Sequence, residues 1–284
     1  MASICIHKGE EPVISGDKGI CNIFFSHCNL QCIYCQNIQI SRNDAERSKM
    51  SREEVFTRIT AILDKGINSI GFVSPSHMVD QVKDIISMIN NTGRKPVYVW
   101  NTSAYDHVKT LRSLEGIIDV YLPDFKYADP ELGKTLSDVE DYPRRAILAL
   151  KEMYRQKGSS IILNHEDTIE FGMIIRHLIL PGYVENSKAC LRIISEELSP
   201  SVHISLMSQY HPIPEVMDHP QLGRTISPDE YREVVDEFDR LGFYRGWVQE
   251  LESESFYNPD FNEVHPFEYN ISSRGISSQQ IVKN

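Results

Sequence analysis

From residue 21 to residue 251, short apolar runs alternate with stretches in which apolar residues recur every three or four positions. The runs read as strands: Asn22-Ile23-Phe24-Phe25, Ser69 to Val73, Val97 to Trp100, Ile117 to Leu122, Met173 to Ile179 and His203 to Met207, with a weaker seventh from Gly246 to Leu251. The patterned stretches read as amphipathic helices with start and stop signals. Ser51-Arg52-Glu53-Glu54 has the form of a capping box, followed by Val55, Ile59, Ile62 and Leu63 on one face and by Gly66 as the stop. Val82, Ile85, Ile86 and Ile89 repeat the pattern. Pro143 suits a first helical position ahead of Ile147, Leu150 and Tyr154, and Gly158 ends that helix. Ser227-Pro228-Asp229-Glu230 opens another, with Tyr231, Val234, Val235 and Phe238 on one face and Gly242 beyond.

Parallel strands need a crossover connection, usually a helix, so this alternation predicts an α/β fold: a partial (open) βα barrel of about six parallel strands with outer helices, plus a C-terminal extension. A doubly wound open sheet competes, but no Gly-x-Gly-x-x-Gly follows the first strand, so a dinucleotide reading has no support. The expected division is an N-terminal extension over 1–20, a barrel over 21–252 and a tail over 253–284. The tail loses the alternation, packs through Phe256, Tyr257, Phe261 and Phe267, and then frays.

The 284 residues carry 29 Lys and Arg against 40 Asp and Glu, a net charge of −11. Such a field repels phosphate backbones and anionic lipid, so neither a nucleic acid nor a membrane is the expected partner. No run approaches the roughly eighteen apolar residues of a spanning helix, and the first residues lack a signal-peptide pattern, which predicts a cytoplasmic protein. Six Cys in such a chain is far from a disulfide scaffold, and in a reducing compartment clustered thiols bind metal or do chemistry.

Three of the six are clustered. Directly after the first strand comes Ser26-His27-Cys28-Asn29-Leu30-Gln31-Cys32-Ile33-Tyr34-Cys35, with the spacing C-x3-C-x2-C. One loop brings Cys28, Cys32 and Cys35 to one centre. An iron–sulfur cube normally takes four Cys ligands, and no fourth lies nearby, so one iron is left open for a ligand that is not protein. A zinc site formed with His27 is the competing reading, although zinc sites usually show two separated ligand pairs. Cys5, Cys21 and Cys190 read as small buried hydrophobes, Cys190 on the apolar face with Ile193 and Ile194.

This motif, with an aromatic before its last Cys on the loop after a barrel's first strand, resembles the radical S-adenosylmethionine (radical SAM) superfamily. More narrowly, Phe24-Phe25-Ser26-His27-Cys28-Asn29-Leu30-Gln31-Cys32-Ile33-Tyr34-Cys35-Gln36-Asn37 resembles the branch of pyruvate formate-lyase-activating-enzyme-like proteins. The resemblance implies one [4Fe-4S] cluster held by the three thiolates, with the amino and carboxylate groups of S-adenosylmethionine on the fourth iron and Tyr34 near the adenine. It continues at strand ends, where βα barrels place their chemistry. Asn101-Thr102 is similar to a family position that contacts the methionine or ribose. Asp124 and Lys126, in Pro123-Asp124-Phe125-Lys126, resemble the activases' Asp-x-Lys, which reaches the methionine end and ribose. Arg176, in Arg176-His177-Leu178-Ile179-Leu180-Pro181-Gly182, resembles the Arg of their fifth strand. His211, in Gln209-Tyr210-His211, resembles the His that approaches the ribose.

Each of these residues also has a plainer reading. Asp124 and Lys126 alternate along a strand as a paired charge set would, Arg176 in an apolar strand can form a structural ion pair, and His211 before Pro212 can be a loop surface residue. One departure is clear. Where the family carries Gly-Gly-Glu to hold the cofactor's amino group, this chain has Ser74-Pro75-Ser76-His77. The hydroxyls of Ser74 and Ser76, or backbone carbonyls there, can accept from an ammonium, and either Ser can instead cap the helix that follows.

The resemblance implies an enzyme in which a reduced cluster cleaves S-adenosylmethionine to methionine and a 5'-deoxyadenosyl radical that abstracts hydrogen from substrate. Cofactor and cluster carry that chemistry while the protein binds and orients. In the activase branch the hydrogen comes from a glycine of a partner glycyl radical enzyme, and a flavodoxin or ferredoxin-type donor supplies the electron. Two alternatives stand beside it: the same chemistry on another peptide, an RNA or a small molecule, and a zinc-binding or electron-transfer module that is no enzyme.

Overall fold

The computed structural model describes residues 1–45, 50–251, 259–261 and 266–267. Its strands are β1 (Ser3–His7), β2 (Ile20–Phe24), β3 (Ser69–Val73), β4 (Val97–Thr102), β5 (Val120–Pro123), β6 (Ile162–Leu163), β7 (Ile169–Leu178), β8 (His203–Met207) and β9 (Gly246–Val248). They form one sheet in the order β1-β2-β3-β4-β5-β7-β8-β9, with β6 paired to β7 off this path. From β2 to β9 every neighbour on that path is parallel, while β1 lies antiparallel to β2 and β6 antiparallel to β7. The path is open, ending at β1 and β9. This is the expected partial barrel, with the weak seventh strand present as β9 and two antiparallel strands added.

The helices are α1 (Pro12–Ser15), α2 (Ile38–Ser41), α3 (Arg52–Leu63), α4 (Val79–Asn90), α5 (Val108–Arg112), α6 (Pro130–Ser137), α7 (Tyr142–Lys157), α8 (Val184–Glu197) and α9 (Pro228–Arg240). Their starts follow the sequence signals. Ser227 and Glu230 make a reciprocal capping box at α9. At α3 Ser51 accepts from the Glu54 amide at 3.1 Å, while the Glu54 carboxylate pairs with Arg58 at 2.7 Å. The buried faces of α3 and α4, including Val55, Ile59, Val82 and Ile89, join the main core between sheet and helices.

A second cluster lies on the concave side: Ile14, Ile20, Val99, Val120, Leu122, Ile169, Ile174 and Trp247. It draws on α1 and on strands from β2 round to β9, so it fills the lumen, and α1 is part of the filling. Residues 1–20, which the apolar pattern set apart as an extension, are therefore built in: 3–7 as an edge strand and 12–15 as a plug. The lumen is close-packed. A Cβ on Gly71 would meet Asn22 Oδ1 at 2.1 Å, and one on Gly246, at φ +115°, would meet the Ile204 carbonyl oxygen at 1.9 Å.

In the tail, Phe261 and Phe267 pack against Phe24, with ring centroids at 5.1 and 5.8 Å. The boundary drawn at residue 252, and Phe256 and Tyr257, lie outside the described residues. No helix among the described residues is long and apolar enough to cross a membrane.

Candidate cluster and cofactor site

Parallel barrels present their loops at the C-terminal ends of the strands, and the three-Cys loop leaves β2 at that end. Its backbone is fastened to the end of α6: the Ile33 amide donates to the Leu136 carbonyl at 2.9 Å and the Gln31 amide to the Ser137 carbonyl at 3.2 Å. Asn29 Nδ2 reaches the Tyr105 carbonyl at 2.8 Å, and Gln31 Nε2 ties the loop to itself through the Cys28 carbonyl at 3.0 Å. So held, Cys28, Cys32 and Cys35 line one cavity of about 240 Å³.

Each thiol has a hydrogen-bond donor. The Leu30 amide lies 3.5 Å from Cys28 Sγ, Ser137 Oγ 2.9 Å from Cys32 Sγ, and Ser41 Oγ 3.3 Å from Cys35 Sγ. Ser137 stands at the end of a buried hydroxyl chain, with Tyr34 to Tyr127 at 2.6 Å and Tyr127 to Ser137 at 2.6 Å. Burial raises the Cys28 thiol from its ordinary value. It pushes Cys35 up to about 12, with the neighbouring Cys32 adding to the effect. Lys126, beside these sulfurs, keeps its proton: burial opposes the charge, and Asp124 and Cys32 outweigh it.

The ends of β4, β5 and β7 meet around Arg176. Its Nε donates to Asp124 Oδ1 at 2.6 Å, its Nη1 to Glu10 Oε2 at 2.8 Å, and its Nη2 to Asn101 Oδ1 at 2.6 Å. Asp124 Oδ2 accepts from Lys126 at 2.9 Å, and Glu10 Oε1 accepts from Asn22 at 2.9 Å and Asn101 at 3.2 Å. Arg176 and Glu10 are only 12% and 9% exposed as side chains, so these are interior ion pairs. Burial works against the charge of Asp124, and Arg176 and Lys126 more than reverse this, holding its carboxyl below the usual range.

The residues singled out in the sequence fall into two groups. Tyr34, Ser74, Asn101, Thr102, Asp124, Lys126 and Arg176 line the same cavity as the thiols. Asp124, Lys126 and Arg176 are at once the ion pairs of the plainer reading and part of the cavity wall. Ser76 stands behind the wall, its hydroxyl 3.2 Å from Thr102 Oγ1, which donates to the buried Asp106 at 2.6 Å. His211 also stands one residue back, 3.2 Å from Gln36, which does line the cavity. Neither Ser caps a helix, because the N-cap of α4 is Met78, which makes no side-chain cap. Ser74 has φ +53°, a left-handed conformation that turns the chain at the end of β3.

His7, Glu10, Glu11, Ser41 and Ser137 went unrecognised in the sequence. Gly9-Glu10-Glu11-Pro12 looks like a solvated turn, and only the plug formed by α1 carries it into the lumen. Both serines sit at helix ends, Ser41 six residues after the thiol it contacts and Ser137 105 residues after its own.

The donor set fits an iron–sulfur cube. It offers one buried and two half-buried thiols, each with a hydrogen-bond donor and a cation close by, on a cavity with room beside them. Among the described residues no three His, Cys, Asp or Glu side chains converge on a single ion. A cube does not require it, since each thiolate meets a different iron. His27 does not join the thiols: its Nε2 is 3.2 Å from the Ala45 carbonyl oxygen.

Residues 14–135 match the family described as a 4Fe-4S single cluster domain. The chain is 27% identical over 246 residues to an uncharacterized protein of Methanocaldococcus jannaschii, covering 81% of this chain and 64% of the relative. Among solved structures it is similar to methylornithine synthase (TM-score 0.53, 13% identity, 77% of this chain and 62% of that one). It is also similar to HydG, a maturase of the [FeFe]-hydrogenase (0.54, 15%, 80% and 50%), and to Streptococcus suis SuiB bound to S-adenosylmethionine (0.55, 13%, 83% and 52%). The chain thus spans under two thirds of the length of each of these proteins, and at such identities the likeness to the solved structures is one of fold. What is shown for this chain is thus a match to a 4Fe-4S single cluster domain over residues 14–135 and a partial barrel fold shared with these solved structures.

Proposed function

We propose that Cys28, Cys32 and Cys35 ligate the [4Fe-4S] cluster, and that the cavity beside them binds S-adenosylmethionine for reductive cleavage and hydrogen abstraction. The observation that carries this reading is the meeting of three hydrogen-bonded thiols with a polar ring of strand-end side chains on one cavity wall. When bound, the reduced cluster and cofactor supply a 5'-deoxyadenosyl radical. The protein's own residues bind, orient and screen. Lys126 offsets the negative charge of the thiolates, and Asp124 holds Lys126 in place. Asn101 and Thr102 present polar atoms at the end of β4, and Ser74 does the same at the end of β3. Tyr34 and, through Gln36, His211 flank the side of the cavity suited to the adenosine. Metal loading releases the thiol protons that burial otherwise retains.

The hydrogen comes from a glycine Cα of a partner glycyl radical enzyme, a reading supported by the motif from Phe24 to Asn37, and a flavodoxin or ferredoxin-type protein donates the electron. Anaerobic Cys32→Ala protein is expected to lose cluster iron and cofactor cleavage while Cys190→Ala, altered at a fully buried thiol of α8, retains both. Cluster iron in Cys32→Ala at the wild-type level contradicts the ligand assignment. Asp124→Ala is expected to weaken cofactor binding and keep the cluster, and unchanged binding returns Asp124 to a purely structural ion pair.

A further inference from the structure

Cys32 is the thiol served from behind the cavity wall. Its donor, Ser137 Oγ, stands 2.9 Å from the sulfur, closer than the Leu30 amide to Cys28 at 3.5 Å or Ser41 to Cys35 at 3.3 Å. Behind Ser137 lies the Tyr127 hydroxyl at 2.6 Å, and behind Tyr127 the Tyr34 hydroxyl at 2.6 Å. Ser137 is 1% exposed and Tyr127 0%, so the chain is shielded from solvent. Tyr127 belongs to the segment that follows β5. There Asp124 and Lys126 line the cavity, while Phe125 and Tyr127 join the main core, where Tyr142 meets the Tyr127 ring edge-on at 5.2 Å. One short segment thus serves the thiols from two sides, Lys126 from the cavity and Tyr127 from behind.

Between free hydroxyls either oxygen can donate, and a cluster removes the choice. A metal-bound Cys32 is a thiolate, which accepts and cannot donate. Ser137 has one proton and spends it on the sulfur, so Tyr127 must donate to Ser137 and Tyr34 to Tyr127. Three O–H dipoles then point the same way, toward one ligand. Aligned hydrogen bonds strengthen one another by about 10–30% per bond, and a donor on a ligand sulfur favours the more negative, reduced cluster. We propose that Tyr127, with Tyr34 behind it, is a positioning residue that acts on Cys32 through Ser137: the two phenols aim and strengthen the Ser137 bond and so raise the reduction potential of the cluster. This inference rests on the cluster ligands proposed above and deepens that reading.

The test uses the full chain, loaded anaerobically with iron and sulfide, as wild type, Tyr127→Phe, Ser137→Ala, the double variant and Tyr34→Phe. Iron and sulfide are counted, and the cluster midpoint is read by redox titration with electron paramagnetic resonance. Tyr127→Phe should keep its iron and lower the midpoint by at least about 10–30% of the Ser137→Ala shift, the share that one aligned bond supplies. Tyr34→Phe, one bond further back, should lower it by less. The double variant should match Ser137→Ala alone, because Tyr127 has no other route to the sulfur. An unchanged midpoint in iron-replete Tyr127→Phe overturns the inference. So does a Tyr127→Phe shift that persists in full without Ser137, since a packing change would then account for it. If Tyr127→Phe fails to hold iron, Tyr34→Phe decides: a lowered midpoint supports the chain, and a wild-type midpoint overturns it. Wild-type protein that assembles no cluster defeats the ligand assignment itself, and the role of Tyr127 falls with it.

Discussion

Replacing Arg176 with Met keeps the length of the side chain and removes the one charge that three groups share. Asp124 still has Lys126 at 2.9 Å, so its loss is partial. Glu10 keeps only the neutral donors Asn22 and Asn101, and Glu11 keeps Ser205. Breaking a buried pair by removing one partner costs about 3–5 kcal/mol, and the pair here is buried enough for that value to apply without a discount for solvent. At about 2–4 °C per kcal/mol for a large domain, the melting temperature should fall by roughly 6–20 °C. Anaerobic urea unfolding followed by circular dichroism measures the difference. Adding Glu10→Gln to Arg176→Met should recover at least about 1 kcal/mol, because the second change removes a stranded charge. The pH dependence has a definite sign. Asp124 is held below its ordinary value, so its contribution is present above the unfolded carboxylate value near 4 and fades as pH falls through the folded one. The deficit of Arg176→Met should therefore be full at neutral pH and shrink in acid. A loss under about 1 kcal/mol, the range of exposed pairs, together with no recovery in the double variant, would refute the network.

Two further perturbations probe other parts of the account. Ser137→Ala removes the hydroxyl 2.9 Å from Cys32 Sγ and should lower the cluster's reduction potential without loss of iron, because that bond favours the more negative, reduced state; a redox titration followed by electron paramagnetic resonance checks it, and an unchanged midpoint counts against it. Gly246→Ala places a Cβ 1.9 Å from the Ile204 carbonyl oxygen at φ +115° and should destabilise by more than the roughly 1–3 kcal/mol of backbone strain alone. Gly116→Ala, at φ +74° with nothing within 4 Å, should show the strain alone, and equal melting temperatures for the two variants would contradict the close packing of β9 on β8.

The barrel was legible because its parallel strands are buried on both faces. Such strands stand out as unbroken apolar runs, as in β2, where all five residues are buried, and the helices between them carry their own caps. Lone strands at the margins were not legible. β1 is recognisable only by its pairing with β2, and β6 has two exposed residues that no pattern marks. The thiol loop and the strand-end side chains were legible from local motifs, and seven of the nine residues expected at the cofactor line the cavity. Glu10 and Glu11 were hidden for a physical reason. Their role depends on the plug that Ile14 and its neighbours form in the lumen, a long-range packing event with no local periodicity. Ser137 was hidden likewise, since it lies 105 residues from the sulfur it meets.

The central claim is that three thiols and the cavity beside them support reductive cleavage of S-adenosylmethionine. Its most direct test is anaerobic: load the protein with iron and sulfide, reduce it with dithionite, add S-adenosylmethionine, and quantify iron, sulfide, methionine and 5'-deoxyadenosine in one sample. The account predicts about four irons and four sulfides per chain, as one cube requires, and 5'-deoxyadenosine that forms only with reductant and disappears in Cys32→Ala. One zinc per chain, or an intact cluster that forms no 5'-deoxyadenosine, would contradict it.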